Sequence, residues 1–405
     1  VLAPIVEVYV VWHPNDQEGA QIADWLLEHF RGTPYSGLVG GAIEVYTRST
    51  PWQPGSDAPR PLPCQVSLPN QLPQARITAI VPVLGVELAR AIKKDSSDWG
   101  CYLESIPVDR GSEQEIVGVF PVRLQGMNEG SSFGEIGKYQ ALHEASSEQP
   151  AVLCRALSQA VAQLVGDPFR ERLKIFISHT KHPRVEEEQD HVDELLDRVR
   201  TTISNTHLQA YFSTADLQPG EDWDQELRSE ASSSALLAVR TDMYATREWC
   251  QREFLVAKRA DMPIVTLNGV RTEERGSFLM DHVPSVGYRE GDEDLQQSSV
   301  EVALNLLVDA ALIRVLWGLQ RDMFEKLGFD WTPLNVPEPV TVLPWLLKNR
   351  TRATSETPLL IMHPDPPLGP EEAKTLHELF ELVGVHDAIH VVTPRTYTSR
   401  ATTNQ

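Results

Sequence analysis

Cysteine is scarce: Cys64, Cys101, Cys154 and Cys250 are scattered through 405 residues, with no C-x-x-C spacing. That excludes a disulfide framework, argues against a zinc site and favours a reducing, cytoplasmic compartment. Basic charge is also short, with 36 Lys and Arg against 57 Asp and Glu, a formal net charge of −21. A chain-wide phosphate-binding footprint is therefore disfavoured, so neither direct nucleic-acid binding nor an anionic membrane surface is expected. A small molecule or another protein is the expected partner. No stretch approaches the ~20 apolar residues of a membrane span. The first residues lack the charged and apolar regions of a signal peptide. The start at Val1 rather than Met suggests a processed or excised piece of something longer. No Walker motif appears, and GLVGGA (Gly37–Ala42) precedes a strand rather than following one, so it is no dinucleotide fingerprint. Glu186, Glu187 and Glu188 read as a solvated loop or helix start.

What is present is a repeated pattern. The length predicts roughly two to four domains of ~100–200 residues. Three apolar strands each end in histidine: VEVYVVWH at His13, KIFISH at His179 and LLIMH at His363. Each leads through a polar loop into a helical pattern, over Gln17–Phe30, Asp190–Ile203 and Glu371–Val383. Second strands and loops of the first two units align without a gap. EVYTRSTPWQPG (Glu44–Gly55) lies over QAYFSTADLQPG (Gln209–Gly220), with Tyr46 over Tyr211. Third strands follow at Ile77–Leu84 and Ala235–Val239, with Trp99 and Trp249 downstream of them. Fourth strands are expected at Ile116–Leu124 and Pro263–Leu267, and closing helices at Ala151–Val165 and Val300–Leu327. Strands alternating with helices predict an α/β fold with doubly wound parallel sheets, and apolar β-branched strands fit burial on both faces. The expected units are 1–167 and 168–329, then a Pro-rich linker over 330–357, then an incomplete third unit over 358–405. Ile389–Arg400 reads either as that unit's second strand or, by likeness to Leu236–Arg247, as its third.

Trp249 and Glu253 stand four apart on the first turns of a helix after the buried strand Ala235–Val239, so they project from one face. A carboxylate just past the carboxyl end of such a strand faces the crevice where open α/β sheets bind ligands. Alone, Glu253 reads as a solvated side chain.

Three separated segments add to that reading: KIFISHT, YFSTADLQPGEDW and SALLAVRTDMYATREWCQREF. In order and spacing they resemble the landmark regions of a Toll/interleukin-1 receptor (TIR) domain, of the bacterial and plant kind, over about residues 173–327. Tyr244-Ala245-Thr246-Arg247-Glu248-Trp249-Cys250 resembles the segment that leads into that family's glutamate-bearing helix, with Thr246 where serine is common. The resemblance implies a flavodoxin-like sheet and one of two functions, cleavage of NAD with release of nicotinamide or assembly without chemistry. It also implies that Glu253 is the catalytic position, with NAD as substrate and no cofactor or metal. The chemistry is coherent, because nicotinamide leaves as a neutral pyridine and needs no general acid. One carboxylate beside a ribose of oxocarbenium character then suffices.

Other residues carry paired readings. Trp249 either walls the ribose pocket or packs as a core aromatic. Ser178, His179 and Thr180 follow the first strand, where backbone amides can meet phosphate or ribose, although His179 recurs in all units and reads mainly as structural. Asp216, Leu217, Pro219, Gly220 and Trp223 form either a lid or subunit contact, or an ordinary Pro-Gly turn. Tyr244 lines the pocket or packs before the helix. In the first unit Leu103 stands four residues after Trp99 and Glu104 is one place late, a displacement of ~100° on a helix, so that copy reads as degenerate. Hydrolase chemistry at Cys250 or Ser178 is disfavoured because neither has an identifiable base partner. The expectation is an NAD hydrolase, with cyclase activity left open, acting in bacterial antiphage immunity and activated by self-association through TIR–TIR contacts. The flanking units would serve as scaffolds, or as surfaces for another protein or a signal ligand. The rivals are a noncatalytic TIR scaffold and another nucleoside-bond enzyme on a similar sheet.

Overall fold

The computed structural model describes residues 4–38, 42–65, 75–93, 98–106, 116–125, 127, 133–139, 141–145, 150–166, 173–180, 189–206, 208–212, 234–274, 276, 283–289, 291, 293–353, 358–385 and 388–397. The chain divides into two compact units, Val1–Arg170 and Glu171–Gln405.

In the first unit β1 (Val6–Val11), β2 (Ile43–Arg48), β3 (Ile77–Leu84), β4 (Ile116–Val119), β5 (Val122–Leu124) and β6 (His143–Ala145) form one sheet. Its order is β2-β1-β3-β5-β6, with β4 also on β3, and every pairing is parallel. β3 is buried along its whole length, as an apolar central strand covered on both faces should be. The single fourth strand expected over Ile116–Leu124 is two strands. Pro121 has no N–H to give the ladder, and the break falls at Phe120–Pro121. At the carboxyl end of β3, the helix Val86–Ile92 starts on the carboxylate of Asp16, which accepts from the amides of Glu87 and Leu88, each at 3.0 Å. Gly85 allows that approach, since a Cβ there would sit 2.4 Å from the Asp16 carboxyl carbon.

In the second unit β7 (Lys174–His179), β8 (Gln209–Phe212), β9 (Ser234–Arg240), β10 (Ile264–Asn268) and β11 (Ser285–Gly287) are all parallel, in the order β11-β10-β9-β7-β8. Renumbered from its first strand, this is the flavodoxin-like 2-1-3-4-5 arrangement, and the first unit has the same order when β4 and β5 are counted as one broken fourth strand. Helices Gln189–Ser204 and Glu293–Lys326 cover one face, where Val199, Ile203, Leu304 and Leu307 pack with Ile175, Leu237 and Val265. Helix Glu248–Arg259 covers the other through Phe254 and Ala257 against Phe176 and Leu236. Helix Glu293–Lys326 starts seven residues before the expected Val300. Its most apolar window has a mean hydropathy of 1.8, enough to cross a bilayer by composition, and half of that window is buried inside the protein. Such burial is ordinary for a core helix.

The segment expected as a linker is structured instead. Helix Pro339–Asn349 begins at a proline in its first turn, a favoured place because that N–H has no intrahelical partner. Its cap residue Glu338 donates its amide to the Thr341 hydroxyl at 3.1 Å, and Val342 and Leu346 are fully buried. They share a core with Ile361 of β12 (Leu359–Met362), Phe380 of helix Pro370–Val383 and Ile389 of β13 (Ile389–Val392). β13 lies directly beside β12, parallel, with Leu359 opposite Ile389 and Met362 opposite Val392.

This C-terminal layer and helix Glu293–Lys326 together grip the end of helix Glu248–Arg259. Lys258 is 3% exposed and its ammonium lies 2.5 Å from the Glu338 carboxylate. Arg314 reaches the Ala260 carbonyl at 3.3 Å, and Arg321 lies 3.7 Å from Asp261. A buried pair contributes little net stability while intact, but breaking it strands a charge. Glu338→Ala should therefore destabilise the second unit by ~3–5 kcal/mol in urea denaturation, and the apolar double variant Lys258→Met with Glu338→Leu should recover most of that loss. An equal loss in both variants would show that the pair is not what fastens the helix.

Candidate functional site

The order β8-β7-β9-β10 reverses direction at the seam between β7 and β9, the crevice where doubly wound sheets hold ligands. Three side chains meet there. Ser178 is the fifth residue of β7 and fully buried. Tyr244 opens the 3₁₀ turn Tyr244–Thr246 after β9, and Glu253 lies midway along helix Glu248–Arg259 with 1% of its surface exposed. The Ser178 hydroxyl donates to Glu253 Oε2 in a short hydrogen bond, and the Tyr244 oxygen is 2.8 Å from Ser178 Oγ. Serine has one proton, and that proton goes to the carboxylate, so Tyr244 donates to Ser178. Burial first of all lifts the Tyr244 phenol well above its ordinary pKa, which keeps that donor protonated. The result is a directed chain from Tyr244 through Ser178 to Glu253.

Neighbouring contacts lock the seam. Thr180 and Thr241, both buried, lie 3.2 Å apart across it. The Cys250 thiol points at the His179 carbonyl, 3.5 Å away, and so serves packing. His179 keeps its ring near its own strand, with Nδ1 3.4 Å from the Ile177 carbonyl. The corresponding His363 is buried, its Nδ1 2.8 Å from the Pro364 carbonyl, and burial lowers its pKa. Arg240, at the end of β9, is paired with Glu274 through Nε at 3.0 Å and through a second, shorter contact from Nη2. Asp242 accepts from the Arg271 amide at 2.8 Å and from the Thr272 hydroxyl at 2.5 Å. Desolvation opposes ionisation of Asp242, but these donors together hold its pKa below the ordinary value. Arg240, Thr241 and Asp242 were not singled out from the sequence. A run of polar residues closing an otherwise apolar strand was the available signal.

Of the residues expected at the site, the structure brings together Ser178, Tyr244 and Glu253, with His179 and Thr180 beside them. Trp249 is 40% exposed, with the Arg252 guanidinium 5.5 Å from its ring centre. It is thus not packed as a core aromatic. Asp216, Leu217, Pro219, Gly220 and Trp223 lie outside the described residues. In the first unit Trp99 is 2% exposed, 5.6 Å from the His13 ring and 5.9 Å from Tyr102. Leu103 is buried and Glu104 faces solvent, so no carboxylate takes the place four residues after that tryptophan.

The two tryptophans should respond differently to truncation. Trp99→Ala should cost ~3–5 kcal/mol of unfolding free energy, as a fully buried aromatic does. Trp249→Ala should stay within about 0.5 kcal/mol. Comparable losses in denaturant titration would contradict the exposure of Trp249.

No curated protein matches the chain. Among solved structures, the chain is similar to the C-terminal domain of glucosamine-fructose-6-phosphate aminotransferase from Francisella tularensis at 12% identity, covering 78% of this chain and 85% of that one with a TM-score of 0.20. It is similar to tagatose-6-phosphate ketose/aldose isomerase from Escherichia coli at 10% identity, covering 78% and 82% with a TM-score of 0.19. Likenesses this low carry no inference about fold or function. A family model does match, that of the TIR domain, over residues 175–297. That span runs from β7 into helix Glu293–Lys326 and includes Ser178, Tyr244 and Glu253. The middle of this chain, residues 175–297, is a TIR domain.

Proposed function

We propose that the TIR domain cleaves NAD at the bond between nicotinamide and ribose, with Glu253 as the catalytic carboxylate. The observation that carries this reading is a single glutamate at the switch point of the sheet, held by a hydroxyl relay that ends on it. In the reaction the glycosidic C–N bond breaks and its electron pair leaves with neutral nicotinamide. The ribose passes through an oxocarbenium-like state that Glu253 stabilises electrostatically, and water adds to C1′ and releases a proton. Ser178 positions one carboxylate oxygen, and neutral Tyr244 positions Ser178. Exposed Trp249, one turn before Glu253 on the same helix, would stack against the ribose or ring of the substrate.

A carboxylate that is 1% exposed cannot touch a ligand until something moves. This favours an enzyme that is resting as a single chain and is opened by self-association, the kind of control expected of a defence effector. The same burial favours the second reading, a TIR scaffold that assembles without chemistry.

Nicotinamide release from NAD, followed by chromatography with the protein dilute and crowded, separates the two. On the catalytic reading release appears under crowding and falls at least ~100-fold in Glu253→Gln, which keeps the shape and removes the charge. Ser178→Ala should lower kcat more than it raises KM, because Ser178 acts through Glu253. Release that persists in Glu253→Gln rejects the assigned residue. Absence of release from an assembled wild-type protein leaves the scaffold.

A further inference from the structure

A second cleft lies behind the last turn of helix Glu248–Arg259, where it meets the C-terminal layer of the same compact unit. Its volume is about 510 Å³, within the ~300–1,000 Å³ usual for small-molecule sites. Two indoles line it, Trp331 and Trp345, which stack with ring centres 5.3 Å apart and planes 17° from parallel. Both residues are half-buried, packed against the apolar cluster of the C-terminal layer. Three cations also line the cleft: Lys258, Arg259 and Lys348. Lys258 is neutralised by Glu338. Arg259 and Lys348 are exposed, and among the described residues neither has an ion-pair partner. The one acid in the lining, Asp261, is engaged by Arg321 at 3.7 Å. Two unspent positive charges beside an aromatic platform stand out in a chain whose formal charge is −21.

We infer that this cleft binds a small ligand that joins a planar ring to an anionic group, the chemistry of a nucleotide. The ring stacks on the tryptophan pair, as bases stack on aromatic side chains. The phosphate lies between Arg259 and Lys348, whose guanidinium and ammonium groups suit phosphate oxygens. Thr341 and Asn335, also in the lining, supply hydroxyl and amide groups for a sugar or ring edge. Glu253 does not line this cleft, so the site is separate from the one at the β7/β9 seam. Binding here does not depend on whether Glu253 cleaves NAD.

Isothermal titration of the full chain with ADP, with adenosine and with inorganic phosphate tests the inference. ADP should bind, and adenosine and phosphate should each bind at least about tenfold more weakly, since each supplies half of the recognition. Arg259→Glu and Lys348→Glu, both surface changes, should each weaken ADP binding about tenfold or more with the circular dichroism spectrum unchanged. Glu253→Ala should leave that binding in place. Absence of ADP binding, ADP binding no tighter than phosphate, or ADP binding indifferent to both charge reversals would each overturn the proposal.

Discussion

A carboxylate buried at the end of a parallel sheet is the constraint around which the second unit is arranged. An ionised group removed from water is costly unless donors replace the lost hydration. Here the donor is Ser178, whose one proton goes to Glu253 while its oxygen accepts from Tyr244. That geometry needs β7 and β9 side by side in a fixed register, with Ser178 opposite Ala238. The register in turn rests on apolar strands that are buried on both faces and cannot slip without exposing their side chains. The helix that carries Glu253 is pinned on its apolar side by Phe254 and Ala257 and at its far end by Lys258, Arg314 and Arg321.

Such a carboxylate is both preorganised and shut away. Fixed dipoles in a dry site act on developing charge more strongly than water does, and they need no reorganisation at the moment of reaction. The same dryness holds the Glu253 carboxylate out of reach of a ligand. The first unit, with the same strand order, resolves the equivalent region in another way. Asp16 is spent capping helix Val86–Ile92, Gly85 gives it room, and Trp99 packs into the core beside His13. Its polar groups serve stability.

The parallel sheets were legible because long apolar, β-branched strands separated by amphipathic helices admit few other arrangements. The internal likeness of Glu44–Gly55 to Gln209–Gly220 pointed to a shared topology, and the strand order agrees. Glu253 stands out through helical register after a buried strand, together with the family resemblance. The Pro-rich composition of 330–357 reads as a linker from the sequence alone. Pro339 instead starts a helix, and Val342 and Leu346, one turn apart, were the overlooked sign of a buried face. Arg240 could not be found locally, since its partner Glu274 lies in a loop beyond the next strand. The exposure of Trp249 and the burial of Trp99 were equally hidden, because both follow a third strand and begin a short helical run. What distinguishes them is packing: Trp99 lies against His13, far away in sequence, whereas Trp249 is exposed beside Arg252 of its own helix.

The most direct test of the account is a structure of the assembled protein with a non-cleavable carbocyclic NAD analogue. The account predicts Glu253 turned from its sealed position, with a carboxylate oxygen within ~3.2 Å of a hydroxyl on the ring bearing nicotinamide. An analogue bound elsewhere, with Glu253 still closed against Ser178, would contradict it.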